Sequence, residues 1–289
     1  MTAAWMRDLE VFYISYDEPN RESNWARVQE LLPNATHIQG VIGFEAAHKI
    51  CAQAALADRF LTIDGDNYLL DSGLDTFLDD AGMEDVVFSL KSKNIINGLE
   101  YGNGGLKCWN RDVLLASNTH ESSNTTDFCW ALRYYQIDTL ASISVNNSSA
   151  YQAWRAGYRE GVKMSYLNGL PMKNPVTDIS LLYQGNLSKL NLWMTVGRDV
   201  ENGAWAMLGA RQGFYELYAN IIDNTVINDY HWFDRHWKKT KHVDIETVLK
   251  RYADLLQNEF GLFVPELDAS TSLWLKQNYL HPPRKGMML

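Results

Sequence analysis

The chain has 289 residues, 46% of them hydrophobic and 21% charged, and carries a formal net charge of −9. That length suits one large domain or two small ones with a substantial core, and the acidic balance argues against broad, non-specific phosphate binding, so a nucleic-acid contact would need a local basic patch. Cys51, Cys108 and Cys129 are scattered and form no Cys-x-x-Cys pair, so neither a zinc site nor a disulfide framework is suggested. The start of the chain lacks an apolar run behind basic residues, and no stretch reaches the roughly 18 apolar residues of a membrane span. Asn-x-Ser/Thr triplets such as Asn34-Ala35-Thr36 and Asn124-Thr125-Thr126 then read as chance matches, and a reducing cytoplasm is the expected setting. The ten Trp and 15 Tyr suit sites that stack on sugars or bases, although large cores use them too.

Val11-Phe12-Tyr13-Ile14-Ser15-Tyr16 is β-prone and predicts a buried first strand, followed by the loop Asp17-Glu18-Pro19-Asn20. Ser23 is placed to cap a helix carrying Trp25, Val28, Leu31 and Leu32, which ends before Pro33. Thr36-His37-Ile38 predicts a second strand. Residues 44–57 predict a helix with Phe44, Ala47, Cys51, Ala54 and Ala55 on one face, and Phe60-Leu61-Thr62-Ile63 a third strand. Strand–helix–strand–helix–strand is the pattern of a parallel sheet with right-handed crossovers. No Gly-x-Gly-x-x-Gly follows the first strand and no Gly-x-x-x-x-Gly-Lys-Ser/Thr occurs, which counts against a dinucleotide fold and a nucleoside triphosphatase.

Asp64-Gly65-Asp66, followed by Asn67, stands where the third strand should leave the sheet. Hard cations such as Mg²⁺ and Mn²⁺ favour oxygen ligands and often combine one or two carboxylates with substrate phosphates. Residues i and i+2 of a strand share a face, so Asp64 and Asp66 could address one ligand while Gly65 lets the backbone come close. The competing reading is an Asp-Gly hairpin turn.

Farther along, residues 86–90 predict a fourth strand. Gly98, Gly102, Gly104 and Gly105 would let the backbone pass close to a ligand, with Lys107 available to a phosphate, or they form a flexible hairpin. Asp127 either caps a helix starting at Phe128 or aims a carboxylate into a cleft. Ile143-Ser144-Val145 is another short strand. Arg155 and Arg159 share a helix face, for salt bridges or for a diphosphate. Residues 205–222 and 244–260 read as amphipathic helices. Between them, Trp232, Phe233 and Trp237 interleave with Arg235, Lys238, Lys239 and Lys241, a pattern suited to phosphates and stacked bases, or else a solvated loop with its aromatics pinned to the core. The tail from His281 to Lys285 reads as mobile.

Five of these stretches, in order, resemble the bacteriophage-encoded glycosyltransferases of the GT-A type. They are Phe12-Tyr13-Ile14-Ser15-Tyr16-Asp17-Glu18-Pro19-Asn20, Ala47-His48-Lys49, Ile63-Asp64-Gly65-Asp66-Asn67, residues 99–107 and residues 153–160. Val196-Gly197-Arg198-Asp199 with Gly209-Ala210-Arg211-Gln212-Gly213 is a weaker echo. The resemblance covers about 11–160 and ceases beyond about Asn228. It implies an α/β fold: a GT-A-like, Rossmann-type nucleotide-binding mixed sheet with flanking helices and a helical C-terminal part. The expected division is a catalytic domain over 1–228 and a C-terminal helical extension over 229–289, packed on the same domain and able to contact the acceptor.

What the resemblance implies for single residues is as follows. Tyr16, Asp17 and Glu18 would hold the uridine of a UDP-sugar. Asp64 would meet ribose or metal, Asp66 would ligate Mn²⁺ or Mg²⁺, and the Gly104-Gly105 backbone would approach the donor sugar. Lys107 and Arg155 join the donor-binding set. A third metal ligand normally comes from later in the chain, with His231, His236, His242 and Asp199 as candidates. An inverting reaction needs a general base, for which Asp127 comes first and Glu100 second. The acceptor implied is 5-hydroxymethylcytosine in modified double-stranded phage DNA, inside the cytoplasm of the infected bacterial host. Trp232, Arg235, Trp237, Lys238, Lys239 and Lys241 would form the contact surface, and UDP-glucose or UDP-arabinose would be the donor. Alternatives are a glycosyltransferase acting on a protein or surface glycan, and a non-catalytic or hydrolytic relative. The net charge of −9 counts against DNA.

Overall fold

A computed structural model of the chain describes residues 3–101, 105–122, 127–165, 182, 184–279 and 286–288. It divides into two compact units: Met1–Ile95 with Glu100–Val145 and His281–Leu289, and Ile96–Leu99 with Asn146–Leu280. The boundary expected at 228/229 thus falls inside the second unit, just before one of its helices.

The first unit is mixed α/β. Its strands are β1 (Ala3–Trp5), β2 (Glu10–Ser15), β3 (Thr36–Gln39), β4 (Arg59–Asp64), β5 (Asn67–Leu69), β6 (Phe77–Asp79), β7 (Val87–Asn94), β8 (Glu100–Tyr101), β9 (Leu106–Asn110), β10 (Tyr134–Ser144) and β11 (Gly286–Met288). Its helices are α1 (Arg21–Leu31), α2 (Phe44–Ala54), α3 (Asp71–Leu74) and α4 (Arg111–Ala116). β1 and β6 form a small antiparallel ribbon. The main sheet runs β11-β10-β7-β9-β4-β2-β3, with β5 added to β10 and β8 to β7. β3, β2 and β4 are mutually parallel, β9 is antiparallel to β4 and β7, and β7 is parallel to β10. The carboxyl ends of β2, β3, β4, β7 and β10 therefore share one edge of the sheet.

Period-two alternation explains how the sheet is covered on both faces. Val11, Tyr13, Leu61 and Ile63 join a core with Val28 of α1, whereas Phe12 and Phe60 join one with Cys51 and Ala52 of α2. The start of β4 is fixed by Arg59, whose buried guanidinium pairs with Asp80 at 2.8 Å and donates to the Val86, Met83 and Glu84 carbonyls.

Three local expectations change. α1 begins at Arg21 rather than behind Ser23, whose hydroxyl instead donates to the Asn20 carbonyl at 2.8 Å. β10 spans 11 residues although only its end is visibly β-prone, because Gln136, Asp138, Thr139, Ser142 and Ser144 break up its apolar run. The glycine-rich segment contains an ordered strand, β9, in the middle of the sheet.

The second unit is helical: α5 (Ala150–Lys163), α6 (Gln184–Thr195), α7 (Gly203–Tyr218), α8 (Tyr230–Thr240), α9 (Ile245–Phe260) and α10 (Ala269–Asn278). α5 and α7 cross at backbone contact. A Cβ on Gly157 would lie 1.9 Å from the Ala206 carbonyl oxygen, and one on Gly209 would lie 2.0 Å from that of Trp154. Asp244 caps α9 through the Thr247 amide, and Gly261 closes it in the left-handed conformation at φ 69°. Asp229 caps α8 through the Trp232 amide at 2.8 Å, so the aromatic-basic segment is a helix and not a loop.

Candidate functional site

The Asp64-Gly65-Asp66 turn at the end of β4 is held at every residue. The Asp64 amide donates to the Gly105 carbonyl at 2.9 Å. The Gly65 carbonyl accepts from the Tyr13 hydroxyl at 2.8 Å and the Asn24 side chain at 2.9 Å. The Asp66 carbonyl accepts from the Val145 amide at 2.7 Å. β5 then pairs with β10 and not with β4, so the turn is not a hairpin. It is a crossing between strands on the edge where α/β sheets bind ligands.

Asn67 aims Asp66. Its side-chain oxygen accepts the hydroxyls of Ser92, Ser142 and Ser144 at 3.0, 2.9 and 3.2 Å. Its side-chain nitrogen donates to Asp66 Oδ1 at 2.7 Å. The Asp66 carboxylate oxygen accepts, which fixes the end of the amide facing it as nitrogen. Gly105 is required beside it, because a Cβ there would lie 2.1 Å from Asn67 Cγ. Burial, then the neighbouring Asp64 charge, pushes the Asp66 carboxyl above its ordinary range. Glu18 folds back, accepting from the Tyr16 amide at 2.8 Å, and its carboxyl is likewise raised by burial, with Asp66 contributing. The space it uses exists because Gly65 has no side chain: a Cβ there would lie 2.9 Å from Glu18 Oε2. Two carboxylates that resist ionisation beside one another favour a cation. Such a cation would take Asp66 from the chain and most of its remaining ligands from phosphate and water.

Lys107 does not offer itself to a phosphate as expected. It is 2% exposed, its ammonium lies 2.6 Å from Asp64 Oδ2, and the Phe44 and Phe128 rings flank it at 5.8 and 5.7 Å. The central position of β9 turns the lysine inward, where an unpaired charge would be costly. His48, to which the sequence assigned no role, stands on the other side of Asp64. Burial holds its imidazole down at about 4, and its Nε2 lies 4.0 Å from Asp64 Oδ1.

The other expected residues separate. Tyr16 is half-buried and Asp17 exposed in the loop after β2, while Gly104 lies outside the described residues, as does the 281–285 tail. Asp127 is buried and accepts from the Phe128 amide at 2.8 Å, capping a short 3-10 turn. Glu100 lies opposite Lys93 in the β7–β8 register and within 3.7 Å of both Lys91 and Lys93. Alternation puts it on the sheet face opposite Ser92, and hence opposite the Asn67 network.

Arg155 belongs to the second unit, where it stacks over Tyr230 at 4.4 Å and Phe233 at 5.6 Å. The four candidates for a third metal ligand are also there. Asp199 pairs with Lys276, and His236 accepts from Gln212 at 2.7 Å, whereas His231 and His242 are exposed.

Helical period sorts the aromatic-basic segment into two faces. Trp232 packs on Tyr158 at 5.2 Å and Trp237 on Trp154 and Trp205 at 5.5 and 5.1 Å, beside the fully buried Phe233. Arg235, Lys238, Lys239 and Lys241 are exposed. The two tryptophans are therefore half-buried against this core, and their rings are engaged in packing rather than set out as a platform for bases. The expected surface is reduced to its four cations.

Among the described residues, no group of three or more His, Cys, Asp or Glu side chains is arranged to hold a metal ion, and no helix is long and apolar enough to cross a membrane. The chain matches no family model and no curated protein.

Asn24, Ser92 and Ser142 escaped the sequence reading. The alternation of Ser142 and Ser144 beside a polar Asn67 was the available signal, and it lay in the strand whose mixed composition hid it.

Proposed function

We propose that this protein is a metal-dependent glycosyltransferase that moves a sugar from a UDP-sugar to a hydroxyl acceptor. The observation that carries this reading is the Asp66 carboxylate, aimed by Asn67 and crowded by Glu18, at the carboxyl-terminal edge of a mixed sheet. Asp66 would ligate Mn²⁺ or Mg²⁺. When bound, that cation would stabilise the charge growing on the leaving diphosphate. The loop Tyr16-Asp17-Glu18 would border the uridine, and Gly105 would let the backbone approach the donor. Asp127 stays the first candidate for a general base and Glu100 the second, although Asp127 already holds the Phe128 amide and Glu100 lies within 3.7 Å of two lysines.

For the acceptor we favour 5-hydroxymethylcytosine in phage DNA, modified in the cytoplasm of the infected host, with the exposed cations of α8 tracking the phosphates. A second reading, transfer to a protein or glycan hydroxyl, gains support from the inward packing of Trp232 and Trp237, which removes the stacking platform. A screen of UDP-sugars against DNA containing 5-hydroxymethylcytosine, read by nucleoside mass spectrometry, tests the proposal. A mass shift matching one sugar, absent with unmodified DNA, supports the DNA reading. UDP release without any shift favours the glycan reading, and no turnover of any nucleotide sugar overturns both.

A further inference from the structure

We propose that Lys107 is a positioning residue that decides what Asp64 binds. By holding Oδ2 from inside the fold, it keeps Asp64 from chelating the cation and leaves Oδ1 as a single acceptor for a ribose hydroxyl of the nucleotide. This rests on the UDP-sugar reading above and divides the labour of the two aspartates: Asp66 addresses the metal and Asp64 the nucleoside.

Three observations support it. The first is the ion pair. Lys107 Nζ is 2.6 Å from Asp64 Oδ2, is buried, and otherwise faces the Phe44 and Phe128 rings, so Asp64 is its one carboxylate partner among the described residues. A buried ammonium does not give up such a partner cheaply. The second is backbone register. Lys107 pairs with Thr62 across β9 and β4, and the Asp64 amide is tied to the Gly105 carbonyl, so both ends of the ion pair stand on fixed strands.

The third is a shortage of donors at Oδ1. His48 Nδ1 lies 2.8 Å from the Phe44 carbonyl, which can only accept, so Nδ1 carries a proton and in the neutral ring Nε2 is a bare lone pair. Nε2 has no hydrogen-bond partner among the described residues and lies 4.0 Å from Asp64 Oδ1. Two acceptors thus face each other with no donor between them, beside an ammonium. A second cation there would be repelled by Lys107, whereas a hydroxyl supplies the missing donor.

The test uses the full-length chain, with UDP, 2′-deoxy-UDP and 3′-deoxy-UDP titrated in EDTA by calorimetry, and Mn²⁺ binding followed by electron paramagnetic resonance with UDP present. Wild type is expected to prefer UDP over one deoxy analogue by about tenfold, the scale of one charge-assisted hydrogen bond. Lys107→Met should lose that preference and bind Mn²⁺ several-fold tighter, because Asp64 is then released to chelate the cation. A folded Lys107→Met variant that keeps the preference, or whose Mn²⁺ affinity stays within about twofold of wild type, overturns the proposal. Should Lys107→Met not fold, Asp64→Asn gives the same reading, and a retained preference there overturns it equally. Wild type that binds UDP yet ignores both ribose hydroxyls defeats this inference alone. Wild type that binds no UDP, with or without Mn²⁺, defeats the donor reading and this inference together.

Discussion

Asn67 Nδ2 donates to Asp66 Oδ1 at 2.7 Å, while the other end of the same amide gathers the hydroxyls of Ser92, Ser142 and Ser144. The direction of the Asp66 carboxylate is thereby set by β7 and β10, strands far from it in sequence, and not by the turn that contains it. A polar network of this kind is stiff when every member is satisfied and costly when one is removed.

Asn67→Ala should therefore act on both stability and site. It removes an acceptor shared by three hydroxyls, of which Ser92 and Ser144 keep each other at 2.8 Å, and frees Asp66, with an expected loss of about 1–3 kcal/mol. Urea unfolding measures the first effect. A weakened Mn²⁺ affinity in the folded variant measures the second.

Gly105→Ala should be worse than an ordinary surface change, because its Cβ would overlap Asn67. An overpacking cost of about 1–3 kcal/mol is expected, read as a fall in melting temperature. An unshifted melt would show that Asn67 can move aside, and would remove the rigidity ascribed to this corner.

Asp66→Asn should abolish transfer while leaving the fold intact, and it carries a pH signature. The Asp66 carboxyl is raised from 3.8, so the folded protein holds that proton more tightly than the unfolded chain. Stability is then lost as pH rises from about 3.8 through the folded value. The uncharged amide of the Asp66→Asn variant takes no part in that loss. The variant should melt above wild type at pH 7, with the gap closing as pH falls toward 4, in metal-free buffer. Glu18→Gln should behave alike, from a starting value of 4.5.

The two faces of α8 should separate by experiment. Lys238→Ala, Lys239→Ala and Lys241→Ala combined should change stability by less than about 0.5 kcal/mol. The same triple variant should lower transfer to DNA and flatten its salt dependence, without changing UDP-sugar hydrolysis. Trp237→Ala, which removes a ring packed on Trp154 and Trp205, should cost about 3 kcal/mol in unfolding experiments. A triple variant with unaltered DNA transfer would leave α8 with a structural role only.

Local pattern by itself determined a good part of this molecule. The parallel β2-α1-β3-α2-β4 run was legible because buried strands concentrate β-branched and aromatic residues and their helices carry an apolar stripe. Asp64-Gly65-Asp66 was legible because the end of β4 is marked by an abrupt change from apolar to acidic. α9 was legible through its amphipathic stripe. Tertiary structure alone decided what these residues do. β10 remained hidden because it is held by pairing with β7, β5 and β11 while its own composition is mixed. Lys107 read as available to a phosphate until the sheet enclosed it and gave it Asp64. Trp232 and Trp237 read as interleaved with lysines until a 3.6-residue period turned rings inward and charges outward. Asn67 carried no role of its own behind the Asp pair until two distant strands brought it three hydroxyls. A side chain's type is a local property, whereas its partner is set by which distant segments the fold brings beside it.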